Sequence, residues 1–262
     1  MSKMVVQKTA KKETRLKTNQ FFDINKLPKE EGILFLGISM NRIGNSQSPE
    51  KYFEYLQWLD KKVERTEGIG VVVWYGDYLY FHSNEPASLL RDRYKDLMFQ
   101  HKNRLLNILQ KDSIWIKKAF SFYTFGQVML DNAEEFAPAW HKIMHLYETD
   151  TRFKKYVEDD CTHAGHGLGE KERMFILEEI TALYLAAKGM LHFNNRFISG
   201  TEHWVLQGYP GKPLKSEVYL FQKNPLKLSN KKNKFEDCYY DLEEKILYDY
   251  SRLDIDSFDF KE

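Results

Sequence analysis

Gly32-Ile33-Leu34-Phe35-Leu36-Gly37-Ile38-Ser39 is the stretch from which the rest of the chain is read. It is a short apolar run, rich in branched residues, that ends in Gly-x-Ser. A run of this length bounded by a turn fits a buried strand. A serine just beyond such a strand stands on a rigid base, and in open α/β sheets ligands gather at the carboxyl ends of the strands. Two readings stay open on these residues alone. Either this is a core strand followed by a polar loop residue, or Ser39 faces a cleft and does chemistry there. Gly-x-Ser is a weak pattern. The hydrolase elbow Gly-x-Ser-x-Gly is not matched, because Asn41 stands where the second glycine is needed.

The neighbouring segments place the run in a sheet. Met40–Pro49 reads as a polar loop around Gly44-Asn45-Ser46. Glu50–Arg65 reads as a helix whose Tyr52, Tyr55, Leu56, Leu59 and Val63 recur at three- and four-residue intervals. Gly68–Trp74 is a second buried-type strand. Strand, helix, strand in this order predicts a parallel pair with a right-handed crossover, the start of a Rossmann-like α/β sheet. Pro86–Lys111 reads as a long helix. Its Leu90, Tyr94, Leu97, Leu105 and Ile108 mark a buried side, and Arg91, Lys95 and Lys102 fall on an adjoining face. Such a face is either a solvated surface or a phosphate-contacting stripe; Arg93, His101 and Arg104 place charge elsewhere. Ser113–Phe120 reads as a third strand and Ala133–Val157 as one or two helices. Asp159–Gly169 reads as a glycine-rich loop. Its Cys161, His163 and His166 lack a second ligand cluster, so no metal is assigned.

Glu170–Lys188 is a helix closed by Gly189. Phe175 and Glu179 share a face of it. Glu178 and Glu179 are either surface charges or, set against Phe175, Ile176 and Leu183, carboxylates with raised pKa that handle protons. Asn194–Val205 leads into a further strand, Gly208-Tyr209-Pro210-Gly211 is a turn, and Val218–Phe221 reads as a short strand. Beyond Leu228, with Lys231, Lys232 and Lys234, the chain becomes charged, and a peripheral helix or a partly disordered tail is expected. The domain reading is a basic N-terminal arm (1–28, with a short strand near Met4–Val6), a Rossmann-like catalytic domain (29–225) and a charged C-terminal extension (226–262).

Composition narrows the classes. A formal net charge of +1 over 262 residues means that polyanion binding must come from a local patch. With 42% hydrophobic and 15% aromatic residues the chain has the means for a substantial core. Two cysteines make no disulfide framework, which suits a reduced, cytoplasmic setting. No apolar run approaches the roughly 18 residues of a membrane span, so no membrane partner is expected.

Taken in order, several pieces together resemble the cyclodipeptide synthase family over roughly residues 30–222. They are Gly37-Ile38-Ser39 after its strand, Leu56-Gln57-Trp58, Glu64-Arg65-Thr66 before the second strand, Phe175-x-x-x-Glu179, and Tyr209-Pro210. The resemblance implies a mostly parallel sheet flanked by helices, like the catalytic domain of class I tyrosyl- and tryptophanyl-tRNA synthetases. It implies an aminoacyltransferase that joins the residues of two aminoacyl-tRNAs into a cyclic dipeptide, as monomer or dimer and without cofactor or ATP. The chain agrees in having no phosphate-loop signature, and His163-Ala-Gly-His166 comes far too late for a synthetase nucleotide motif. By resemblance Ser39 is the nucleophile, Glu179 holds the substrate ammonium and helps shuttle its proton, and Tyr209 assists cyclisation. Gly37 gives close approach to the backbone. Phe35, Ile69 and Val71 line the first aminoacyl pocket, which an apolar amino acid would fit, and Arg91, Lys95 and Lys102 meet tRNA phosphates.

Tyr209-Pro210 and Arg42, three beyond Ser39, point to the Tyr-Pro subfamily. Phe175, and by the same alignment Phe136, stand where the family carries tyrosine. The missing phenol at Phe175 shifts the hydrogen-bonding task to Glu179, Tyr209 or Tyr184. It also motivates a rival class, a noncatalytic aminoacyl-tRNA or RNA-binding protein on the same fold. A serine hydrolase is the third class, opposed by the missing elbow.

Overall fold

The computed structural model describes residues 16–17, 32–63, 69–77, 86–111, 119–163, 167–193, 204–231 and 233–257. Most of the basic arm with Met4–Val6, the Glu64-Arg65-Thr66 segment, and His166 lie outside the described residues. The strands are β1 Leu16–Lys17, β2 Gly32–Ile38, β3 Ile69–Tyr75, β4 Ala119–Thr124, β5 Trp204–Tyr209, β6 Cys238–Asp241 and β7 Ile246–Asp249. The helices are α1 Pro49–Val63, α2 Ala87–Leu109, α3 Phe125–Asp131, α4 Ala133–Thr149, α5 Thr151–His163, α6 Glu170–Ala187 and α7 Lys215–Lys223. All strands share one sheet in the order β1-β7-β6-β5-β2-β3-β4. From β6 to β4 the pairs are parallel, and β7 adds antiparallel to β6 and β1 to β7. This is the mostly parallel, Rossmann-like sheet that the sequence predicts.

The order contains a reversal. From β2 the chain moves outward through β3 to β4, then returns to lay β5 on the other side of β2. Helices leaving β2 and β5 therefore diverge, and a crevice opens at the carboxyl ends of these two strands, where α/β sheets bind ligands. Ser39 follows β2, and Tyr209 ends β5.

Alternation sorts the strand residues onto two faces. Leu34, Leu36, Ile38, Val71, Val73 and Tyr75 pack under α1 and α2 against Tyr52, Leu56, Leu90, Tyr94 and Leu105. Ile33, Phe35, Val72, Trp74 and Val205 face the other way, toward α3, α4 and α6. Gly32 is needed at the start of β2, because a β-carbon there would fall 1.8 Å from the Trp204 ring. Helix α6 is buried nearly all round, including Ile176, Leu177, Glu178, Ile180, Thr181 and Tyr184, and ends at Gly189 with φ +69°. Among the described residues no helix is long and apolar enough to cross a membrane.

The structure corrects four sequence expectations. The third strand lies at Ala119–Thr124, later than Ser113–Phe120. Asp159–His163 is helical, the end of α5, and not part of a loop. The apolar run Val218–Phe221 is part of helix α7 and not a strand. Its first amides, Lys215 N and Ser216 N, donate to the Asp160 carboxylate at 2.9 and 2.8 Å, so a residue of α5 caps it. The region beyond Leu228 is no peripheral helix. It supplies β6, fully buried beside β5, with Gln207 paired to Tyr239 and Tyr209 to Asp241. One Asp241 oxygen accepts from Gly211, Glu243 and Glu244 amides at 2.9–3.1 Å, tying the β6–β7 turn to the segment after Tyr209.

Candidate active site

A cavity of about 560 Å³ occupies the switch-point crevice. Its floor is one face of the sheet: Phe35 and Gly37 of β2 with Ser39 just beyond, Gln207 and Tyr209 of β5, and Trp74 of β3 with Gly76 just beyond. Phe175, Glu179 and Leu183 of α6 form one wall, and Glu217 of α7 lies at another.

Ser39 is held by the turn that follows it. Arg42 N donates to Ser39 O at 3.0 Å, and Gln47 N to Arg42 O at 2.9 Å, which curls Asn41–Gln47 back toward the strand end. The Ser39 amide then donates to Gln47 Oε1 at 2.7 Å. Gln47 is fixed in turn by α2. Burial pushes His101 down to about 4, so its ring is neutral at neutral pH. A carbonyl only accepts, so the ring proton sits on Nε2, donating to Gln47 O at 3.0 Å, and Nδ1 accepts from the Tyr75 hydroxyl at 3.0 Å. His101, read from sequence as added charge, is 3% exposed and braces the serine-bearing turn from the opposite face of the sheet.

Tyr209 fills the space that Gly37 leaves. A β-carbon on Gly37 would stand 3.2 Å from the Tyr209 ring, so even alanine would crowd it. Burial raises the Tyr209 pKa; the Arg42 guanidinium lowers it, as do the Gln47 and Ser39 side chains in contact with the phenol, while Glu179 raises it further. Arg42 lies over the ring at 5.9 Å from its centroid. Glu179 is pushed up to about 7, chiefly by burial, with the Asp160 charge adding to the shift and Arg42 opposing it. Glu217 is pushed up to about 8 by burial, although the Tyr250 hydroxyl donates to it at 2.6 Å. The site thus holds carboxyls that exchange protons near neutrality beside a serine and a phenol.

Ser39, Glu179, Tyr209, Phe35, Gly37 and Phe175 meet in this one cavity. Val71 does not join them. Its register partner is Leu34, not Phe35, and it is buried under α1 and α2; Val72 and Trp74 take the cavity side of β3. Ile69 opens β3 beside Gly32, and its side chain is not among those described. Tyr184 cannot replace a phenol at Phe175, since its hydroxyl donates to Asn224 Oδ1 in the core. Phe136 is a core residue stacked on Trp140 at 6.2 Å. Cys161 is buried in the core while His163 lies at the cavity. Among the described residues no cluster of His, Cys, Asp or Glu could hold a metal ion. Arg91, Lys95 and Lys102 are exposed along α2, outside the cavity, and Phe99 in the same stripe is 66% exposed. Sequence reasoning missed Gln47, Trp74, Gln207 and Glu217 as site residues. Only a strand register would have found Gln207, opposite Phe35.

No family model matches the chain, and no curated protein matches its sequence. Solved structures do match. The cyclodipeptide synthase from Candidatus Glomeribacter gigasporarum bound to Phe-tRNAPhe superposes with a TM-score of 0.52 at 16% identity, over 81% of this chain and 90% of its own. A CDPS from Staphylococcus haemolyticus gives 0.51 at 12% identity, over 83% and 91%. The likeness is one of fold: the chain has the Rossmann-like architecture of these proteins.

Proposed function

We propose that this chain is an aminoacyl-tRNA-dependent cyclodipeptide synthase of the Tyr-Pro subfamily, working by a ping-pong route through an aminoacyl-Ser39 ester. The observation that carries the reading is the meeting of Ser39, Glu179 and Tyr209 in one cavity at the switch point of a sheet with this fold. In the first step a bond forms between Ser39 Oγ and the aminoacyl carbonyl carbon. The ester bond to the tRNA ribose breaks, and the serine proton passes to the leaving ribose oxygen. Splitting one condensation into two acyl transfers is the gain of covalent catalysis. The amine of the seryl-bound residue then attacks the ester of a second aminoacyl-tRNA, whose ribose oxygen leaves with a proton. Finally the terminal amine attacks the seryl ester, closing the ring and returning a proton to Ser39.

Glu179 suits the amine steps. An α-ammonium titrates near 8, and Glu179 is raised to about 7, so the carboxylate holds the cation and accepts its proton at little cost in free energy. Tyr209, touching Ser39, relays the proton that the serine loses and regains. Arg91, Lys95 and Lys102 hold tRNA phosphates, with exposed Phe99 between them as an aromatic contact.

Expression of the chain in a bacterium, with mass spectrometry of the medium, tests this. Cyclic dipeptides are expected from the wild type and not from Ser39→Ala. Undiminished product without the hydroxyl would overturn the mechanism. Absence of product with aminoacyl-tRNA binding intact would favour the noncatalytic binding protein.

A further inference from the structure

Gln207 is 2% exposed, lines the cavity, and has no hydrogen-bond partner for either its Nε2 or its Oε1 among the described residues. The Nε1 of Trp74, a side chain that also lines the cavity, is buried and has none either. Buried amides and indole N–H groups are almost always paired, because leaving them unpaired forfeits their bonds to water. Two such groups in one cavity mark a place where a ligand supplies the missing partners.

Their positions say which part of a ligand. Phe35, Gly37 and Ser39 run along one face of β2, with Trp74 opposite Gly37 on β3 and Gln207 opposite Phe35 on β5. An acyl group on Ser39 that lies back along the strand passes Gly37, which offers no side chain, then Trp74, and ends at Gln207. Ser39 stands four positions beyond Phe35, roughly 13 Å along the strand direction. The short side chains of serine and threonine fall well short of that span. The walls are aromatic, with Phe35 and Trp74 at 4.9 Å and Trp74 stacked on Phe125 at 4.9 Å. Phe35, Trp74, Phe125 and Gln207 carry no charge, so none of these four side chains would offset the burial of an ionised one.

We propose that Gln207 and Trp74 select the first amino acid, favouring one whose long side chain ends in a neutral group that both donates and accepts, as in tyrosyl or glutaminyl. This departs from the apolar residue that the pocket's wall suggests in the sequence. It rests on the aminoacyl-Ser39 reading. A site built to hydrogen-bond a substrate hydroxyl or amide rejects the isostere that lacks it, because the site's own polar groups are then left unpaired.

The test is loading of the purified full chain with single aminoacyl-tRNAs, followed by intact mass, in two near-isosteric pairs: tyrosyl against phenylalanyl and glutaminyl against methionyl. In at least one pair the polar member should form the Ser39 ester at least about tenfold faster. Gln207→Leu should bring that ratio close to one. Trp74→Phe, which keeps the stacking and removes the N–H, should reduce it, and it stands in if Gln207→Leu does not fold. Equal or faster loading of the apolar member in both pairs would overturn the proposal while leaving the acyl-enzyme reading intact. Failure to form an ester from any of the four, and from every other aminoacyl-tRNA, would overturn that reading and the selectivity with it.

Discussion

The two faces of the sheet are both covered by helices, yet they are built from different chemistry. Under α1 and α2 the core is apolar and aromatic, and its buried histidine, His101, is neutral and hydrogen-bonded at both ring nitrogens. Under α5, α6 and α7 the interior holds Asp160, Glu179 and Glu217, each pushed above the ordinary carboxylate range by burial. One face is a foundation, and the other carries reactive groups whose ionisation is held near balance. Strand alternation makes the division possible: Leu36 and Ile38 belong to the first face, while Gly37, between them, belongs to the second.

Substitutions should respect that division. Ser39→Ala should abolish the aminoacyl ester, lowering product formation by about 10³-fold or more, with the melting temperature unchanged; a large drop in melting temperature would mean that the hydroxyl is structural. Glu179→Gln should slow product formation by about 10²-fold and leave tRNA binding intact, as read by filter binding. Leu36→Ala, on the foundation side, should cost about 3 kcal/mol of stability in denaturant titration, with amino-acid preference unaltered. Charge reversal at Lys95 and Lys102 together should weaken tRNA binding about tenfold near 0.1 M salt and reduce the log–log salt slope by about 1.8. An unchanged slope would remove α2 from the tRNA contact.

The faces should also respond to pH with opposite sign. Glu217 binds its proton more tightly folded than unfolded, so its contribution is fully present below about 4.5 and is lost as pH rises through about 8. His101 prefers to be neutral when folded, so its contribution is present above 6.5 and is lost as pH falls toward about 4. Glu217→Gln should therefore raise the melting temperature at pH 8 and change it little at pH 5, a difference that thermal scans at the two values would show.

Much of this architecture was readable from residues. The run ending at Ser39 identifies a buried strand, and the Phe175–Glu179 spacing puts both side chains toward one place. What escaped was non-local. The resemblance places Val71 at the pocket, but a strand register cannot be read without its partner, and a shift of one residue exchanges the faces. Val218–Phe221 has the composition of a strand, but the Asp160 carboxylate, 56 residues before Ser216, caps the segment as a helix. Cys238–Asp241 is a four-residue strand set among lysines and glutamates, too short for its alternation to stand out. Gln207 looks like an interruption in an apolar strand until the cavity is seen in front of it.

The 2.7 Å bond from the Ser39 amide to Gln47 also limits the chemistry at that serine. In acyl transfer the tetrahedral carbon places negative charge on an oxygen, and a backbone amide beside the nucleophile commonly receives it. Here that amide is already engaged with a side-chain carbonyl. On the proposed acyl route an oxyanion at Ser39 draws on other donors, and the Tyr209 phenol and the Arg42 guanidinium border the same turn. Unlike a main-chain donor, either of these two side chains can be deleted by a single substitution.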